Sequence, residues 1–237
     1  MVDWQCLVPN EVWQCRDFLS EDTYSRIMSQ MTASDYTILD GSTRKHAIGH
    51  TYYNYNVVKM PVREDKQLIE EVFTKLNRLI VSLGDPPVDY TVPLTPLQFF
   101  AKTFNEDSRY DLHAESRGMF GKYVFMNYLS DEETGELVFP TPEQADEYIR
   151  QHPDNEQGWE DTKARLAAED NPIRYCGPLR IKPRKNSCIV FITGVAHSVD
   201  PVINSSNDPV RPSLCGWANA DDTYIKWYQD KQWSAHS

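Results

Sequence analysis

Apolar residues recur at helical spacing over residues 65–82, where Leu68, Ile69, Val72, Phe73, Leu76 and Ile80 form one stripe. This spacing predicts an amphipathic helix, with Gly84 placed to close it. A second helix is predicted in DFLSEDTYSRIMSQM, where Ser20 is the N-cap and Glu21 and Asp22 occupy the first turn favoured by the helix dipole. After the turn-forming DPPVDY the pattern changes. LQFFAKTF, GKYVFMNYL, ELVFP, PLRIKP, NSCIVFI, PSLCGWAN and TYIKWY are short apolar, aromatic or β-branched runs divided by turn residues. Such strands, with little helix between most of them, predict an antiparallel double sheet or barrel with the two helices packed outside it. Residues 141–172 interrupt the series with polar, helix-favouring sequence, PEQADEYIRQH and GWEDTKARLAAED, read as a lid or a surface decoration. The expected organisation is a single domain over residues 1–237. Residues 1–90 form a helical and strand support, and 91–228 a β core that carries the insertion.

Composition narrows the function. A net charge of −11 argues against a protein whose affinity comes from neutralising phosphates, so nucleic acid is an unlikely partner. The densest basic run, RIKPRK at 180–185, reads as a strand end with solvated charges. The five cysteines are odd in number and lack C-x-x-C spacing, which suits free thiols in a reducing compartment and a cytoplasmic location. The N-terminus lacks the basic and apolar regions of a signal peptide, and no apolar run is long enough to span a bilayer. Oligomeric state is not readable.

The candidate chemistry begins in YDLHAES. His113 and Glu115 are two residues apart in a run that reads as a strand, and so share a face. A buried carboxylate there needs a partner, which a metal cation would supply. NSCIVFITGVAHSVDPV adds His197 after a buried strand, and PVRPSLCGWAN adds Arg211 and Ser213, again two apart on one strand face. Two histidines and one carboxylate compose the facial triad of non-haem Fe(II) oxygenases. An arginine beyond it suits the far carboxylate of a 2-oxoacid co-substrate, with Ser213 adding a hydrogen bond.

At this point the chain resembles the Fe(II)- and 2-oxoglutarate-dependent dioxygenases, and among them the prolyl 4-hydroxylase-like branch. YDLHAE is similar to that branch's Y-x-x-H-x-D. YVFMNYLSDEETGELVFP is similar to its strand, Tyr-Leu, acidic turn and Gly-Glu-x-x-Phe-Pro. LRIKPRKNSCIVF, then AHSVDPV and RPSLCGW, resemble its closing strands, distal His, basic residue and Trp. The resemblance spans roughly residues 97–217. It implies a mostly β fold, a double-stranded β-helix (jelly roll) with N-terminal helices on one sheet. It also implies Fe(II) at His113, Glu115 and His197, with 2-oxoglutarate held by Arg211. O2 is the oxidant and ascorbate an optional reductant. Oxidative decarboxylation to succinate and CO2 would drive hydroxylation of prolyl or other peptidyl residues.

Several positions depart from the branch. Glu115 stands where Asp is usual; halogenating relatives carry a small residue there, so Glu115 favours hydroxylation. Phe104 lacks the aromatic hydroxyl common nine residues before the first His, and Tyr110, Tyr123 and Asn127 are the substitutes considered for co-substrate binding. The basic anchor is Arg rather than Lys, which loosens the transfer of substrate class. Gly135 is assigned to a turn, Glu136 to a strand-end hydrogen bond and Trp217 to core packing. Substrate selection is expected in the insertion and in HTYYNYN (50–56), with His46 and His50 on the surface. The alternatives are the same chemistry on a small molecule, a non-catalytic jelly-roll binding module, and a zinc hydrolase, which would leave Arg211 without a task.

Overall fold

The computed structural model describes residues 3–40, 54–94, 98–105 and 108–218. The helical stripe becomes α2 (Lys66–Ser82), whose N-cap Asp65 accepts a hydrogen bond from the Leu68 amide at 3.0 Å. Its buried face is the apolar stripe together with Leu79, and Gly84 follows in the left-handed conformation at φ +86°. The second helix is α1 (Glu21–Ala33), capped by the Ser20 side chain as its sequence indicates.

Among the described residues, twelve strands pair antiparallel into two sheets. The large one runs β1 (Trp4–Val8), β2 (Val12–Cys15), β10 (Ser187–Ile192), β7 (Tyr123–Tyr128), β12 (Ser213–Ala218), β5 (Phe100–Thr103), β4 (Asn54–Val58), β3 (Tyr36–Asp40). The small one runs β6 (Tyr110–His113), β11 (His197–Val199), β8 (Leu137–Phe139), β9 (Leu179–Ile181). Strand alternation separates two cores. On β7, Tyr123, Phe125 and the adjoining Leu129 face α1 and α2, whereas Val124, Met126 and Tyr128 face the small sheet. This is a jelly roll buttressed by helices on one sheet.

Two features differ from the sequence reading. The N-terminal hairpin β1–β2 joins the large sheet through β10, although WQCLV and VWQC are too short and polar to announce strands. The strand YDLHAES stops at His113, and Glu115 lies beyond it, before the short α3 (Arg117–Phe120). TYIKWY, His46 and His50 lie outside the described residues. The run RIKPRK makes ion pairs at the surface, Arg180 with Glu136 and Asp200, and Lys182 with Glu133.

The insertion is helical. α4 (Pro142–Gln151) opens with a capping box between Thr141 and Gln144, and α5 (Glu156–Ala168) follows a single 3-10 turn. Ala145 and Trp159 pack on Leu112 and Ala196, so the pair of helices covers the small sheet from outside.

Candidate metal centre

β6 and β11 are neighbours, and His113 pairs directly with His197 across them. The chain after β6 then turns Glu115 toward both rings. Glu115 Oε1 lies 3.6 Å from His113 Nε2 and 3.5 Å from His197 Nε2. All three side chains are buried, and one ligand atom from each lies within 4.8 Å of the others. Each imidazole is oriented by backbone. Nδ1 of His113 donates to the Asp111 carbonyl at 2.7 Å, and Nδ1 of His197 donates to the Val195 carbonyl at 2.9 Å. Because a carbonyl only accepts, these bonds leave the Nε2 lone pairs for a metal.

Electrostatics prepare the donor set. Burial alone would raise the Glu115 pKa, but the two histidines outweigh it and hold the carboxyl well below the usual carboxylate range. Burial, reinforced by His197, lowers the His113 pKa, which favours the neutral ligand form. His113 Nε2 and Glu115 Oε2 are buried without hydrogen-bond partners. Orphaned polar atoms of this kind are costly, and a divalent cation at their centre would satisfy both. The donor set therefore fits Fe(II).

Beyond this cluster, in the same interior, lies Arg211. It is completely buried, and its guanidinium carbon sits 4.5 Å from the Phe104 ring centre and 5.0 Å from that of Tyr128. Nη2 contacts the Tyr128 hydroxyl at 3.2 Å, while Nε and Nη1 have no partner. A planar cation with two free donors fits a carboxylate. Arg211 stands just before β12 with φ +45°, a conformation held by Glu132, which accepts its amide hydrogen bond at 3.1 Å. Gly135 belongs to the same assembly, since a Cβ there would come within 3.2 Å of Arg211 Cδ and 2.6 Å of Val202. Its role is thus close packing against the cation as well as a turn. Ser213 opens β12 and shares the interior face with Cys215, whose thiol lies 3.6 Å from its hydroxyl.

Two assignments need correction. The Tyr123 hydroxyl donates to Asp85 on the helix side of the large sheet, away from the histidines. Asn127 has the same strand parity and faces that side as well. The hydroxyl beside Arg211 belongs instead to Tyr128, the other parity of the same strand. Tyr110 stays at the site, stacked on the His113 ring at 4.1 Å. Trp217 packs against the core between the sheets, as its sequence indicates. It is partly exposed, stacks on Phe120 and Phe100, and lines the opening to the metal cluster with Tyr55 of β4. Sequence reasoning also missed Lys102, a buried cation on β5 lining the same opening.

The insertion touches the metal-bearing segment from behind. Asn155 donates to the Leu112 carbonyl, Arg165 to the Ala114 carbonyl, and Glu169 accepts from Ser116 and from the Gly118 amide. No described residue of the insertion lines the opening. Its position is that of a brace rather than a lid.

Neither a protein-family model nor a curated protein sequence matches the chain. Solved structures do. A prolyl-4-hydroxylase from Pseudomonas putida aligns with a TM-score of 0.52 at 12% identity, over 90% of this chain and 94% of that one. HygX from Streptomyces hygroscopicus, with nickel and 2-oxoglutarate bound, aligns with a TM-score of 0.46 at 14% identity over 89% and 83%. OsALKBH1 aligns with a TM-score of 0.45 at 12% identity over 90% and 100%. The first of these alignments agrees with the two-sheet jelly roll seen in the strand order. At the level of architecture the chain is similar to the prolyl-4-hydroxylase.

Proposed function

We propose that this protein is an Fe(II)- and 2-oxoglutarate-dependent dioxygenase that hydroxylates prolyl or other peptidyl residues. One observation carries the reading. A buried His113–Glu115–His197 cluster and an Arg211 guanidinium with two unsatisfied donors share one jelly-roll interior. His113, Glu115 and His197 would hold the ferrous ion on one face, and Arg211 with Tyr128 and Ser213 would seat the distal carboxylate of 2-oxoglutarate. When bound, iron and 2-oxoglutarate together supply O2 activation coupled to decarboxylation. The protein's own part is orientation and exclusion of water. Backbone carbonyls fix the imidazole tautomers, and Phe139 and Phe191 pack against the His197 ring.

The peptidyl substrate class rests on the sequence motifs. The aromatic opening formed by Tyr55, Phe100 and Trp217 suits a side chain entering beside the metal. A small-molecule substrate is the second reading, since the same opening would admit one. The free thiols agree with a cytoplasmic location, and among the described residues no helix is long and apolar enough to cross a membrane.

The test is succinate formation from 2-oxoglutarate by the ferrous protein with ascorbate, challenged with peptide pools and with small molecules. Peptide-stimulated turnover that disappears in His113→Ala and His197→Ala is the expected result. A protein that binds zinc, ignores 2-oxoglutarate and hydrolyses a substrate would overturn it.

A further inference from the structure

Lys102 is 6% exposed, yet it forms no ion pair with any described carboxylate. Its ammonium lies 5.2 Å from the Tyr55 ring centre and 5.5 Å from that of Phe104, with the Cys215 thiol as hydrogen-bond neighbour. Strand register fixes its depth. Ser213 of β12 pairs with Tyr128 of β7 on one side and with Lys102 of β5 on the other. Tyr128, Ser213 and Lys102 therefore form a single transverse row on the interior face of the large sheet. Arg211 contacts the same row at Tyr128, and both cations flank one ring, Phe104. A buried ammonium without an ion-pair partner is expensive, and Arg211 adds a second positive charge beside it that the Cys215 thiol and the more distant Glu115 offset only in part. Burial and the repulsion of Arg211 lower the Lys102 pKa, whereas a bound anion would reverse that direction.

We infer that Lys102 is a second cation for the distal carboxylate of the co-substrate, acting across the pocket from Arg211 and making the site selective for keto-diacids over keto-monoacids. The inference rests on the co-substrate reading above. Phe104, which lacks a hydroxyl, then serves as the apolar spacer between the two cations. Tyr128 and Ser213 supply the neutral donors, and Lys102 supplies the charge that the sequence motif does not contain. Lys102 donates to the carboxylate and takes no part in ligating the metal.

The experiment is anaerobic titration of the ferrous protein with 2-oxoglutarate and with 2-oxopentanoate, which lacks the distal carboxylate. The visible charge-transfer band of the chelated 2-oxoacid is the readout. In Lys102→Met the apparent Kd for 2-oxoglutarate should rise about 10- to 100-fold, the loss of one charge-assisted hydrogen bond. The Kd for 2-oxopentanoate should stay as in the wild type. Thermal melting and ferrous-ion binding of the variant should be unimpaired, because the substitution removes an uncompensated buried charge. An unchanged Kd for 2-oxoglutarate, or equal weakening of both acids, overturns the proposal, as does an effect confined to the primary substrate's KM. Failure of the wild type itself to bind 2-oxoglutarate would instead overturn the oxygenase reading, so the two failures are distinct.

Discussion

Arg211 is a buried guanidinium with two unsatisfied donors, and this predicts opposite effects on stability and binding. In the protein without co-substrate, an unpaired interior cation is a destabilising element. Arg211→Met should leave the melting temperature of that form unchanged or raise it. The same substitution removes two charge-assisted hydrogen bonds to the co-substrate and should weaken 2-oxoglutarate binding about 100-fold, with ferrous-ion affinity retained. Calorimetry on the two forms separates these effects, and a 2-oxoglutarate Kd equal to that of the wild type would remove Arg211 from the site. The thiols give a second prediction at this scale. Cys6 is exposed and the other four cysteines are buried, with burial pushing Cys15 up to about 11 and also raising Cys176 and Cys188. A raised thiol pKa leaves the unreactive protonated form at neutral pH. Native protein should therefore release one fast equivalent with a thiol-specific chromogenic disulfide, and Cys6→Ser should release none. Fast labelling of a second cysteine in the native protein would contradict the buried assignments.

Among the elements, α5 bears most directly on the metal ligands without touching the metal. Arg165 and Glu169 hold the backbone on both sides of Glu115, which has left the strand and whose own carbonyl accepts one hydrogen bond, from the Gly194 amide at 2.9 Å. Glu169→Ala should lower metal affinity about 10-fold, the scale of supports that orient a ligand rather than supply one. Affinity for 2-oxoglutarate at saturating metal should be unaltered, and equilibrium dialysis with Mn(II) measures the first quantity. Unchanged metal affinity would reduce α5 to a cover for Leu112. The elements also show what the sequence made legible. The spacing of Leu68, Val72, Phe73 and Leu76 announces α2 because a helix repeats its buried face within the element itself. The apolar runs at β7, β10 and β12 read as strands because they are buried on both faces. Which residues of such a strand face the site is another matter. β7 is buried at every position, so hydrophobicity carries no parity signal to separate Tyr123 and Asn127, on the helix side, from Tyr128, which meets Arg211. Lys102 did carry a signal: a charge flanked by Phe100 and Phe104 at period two marks a cation among interior residues. The run YDLHAES reads as a strand through Glu115, yet the strand ends at His113, because the bend toward His197 involves contacts from Arg165 and Gly194, both distant in sequence.

On the scale of the whole molecule, the site links folding to metal and to pH. The three ligands come from two strands and a following turn, and these segments meet only when the small sheet is assembled. A metal that binds this arrangement and not the unfolded chain stabilises the fold by about 2.7 kcal/mol at one hundred times its Kd. Fe(II) under anaerobic conditions, or Mn(II) in air, should thus raise the melting temperature, and chelation should reverse the rise. In His197→Ala the shift should vanish. Acid should weaken the metal-free fold through two groups whose signs agree. His113 has a folded pKa below its ordinary value of 6.5, so the unfolded chain binds more protons as pH falls below that value, and stability declines. Glu115 is held below its ordinary 4.5, so its stabilising contribution is full above that pH and is lost as pH falls through the folded value. Metal deepens the same dependence, since protons compete with it for both kinds of ligand. The metal-induced rise in melting temperature should therefore be largest near pH 7.5 and shrink steadily toward pH 5.5. A shift that holds its size over this interval would mean that the cation stabilises the protein through groups other than the histidines.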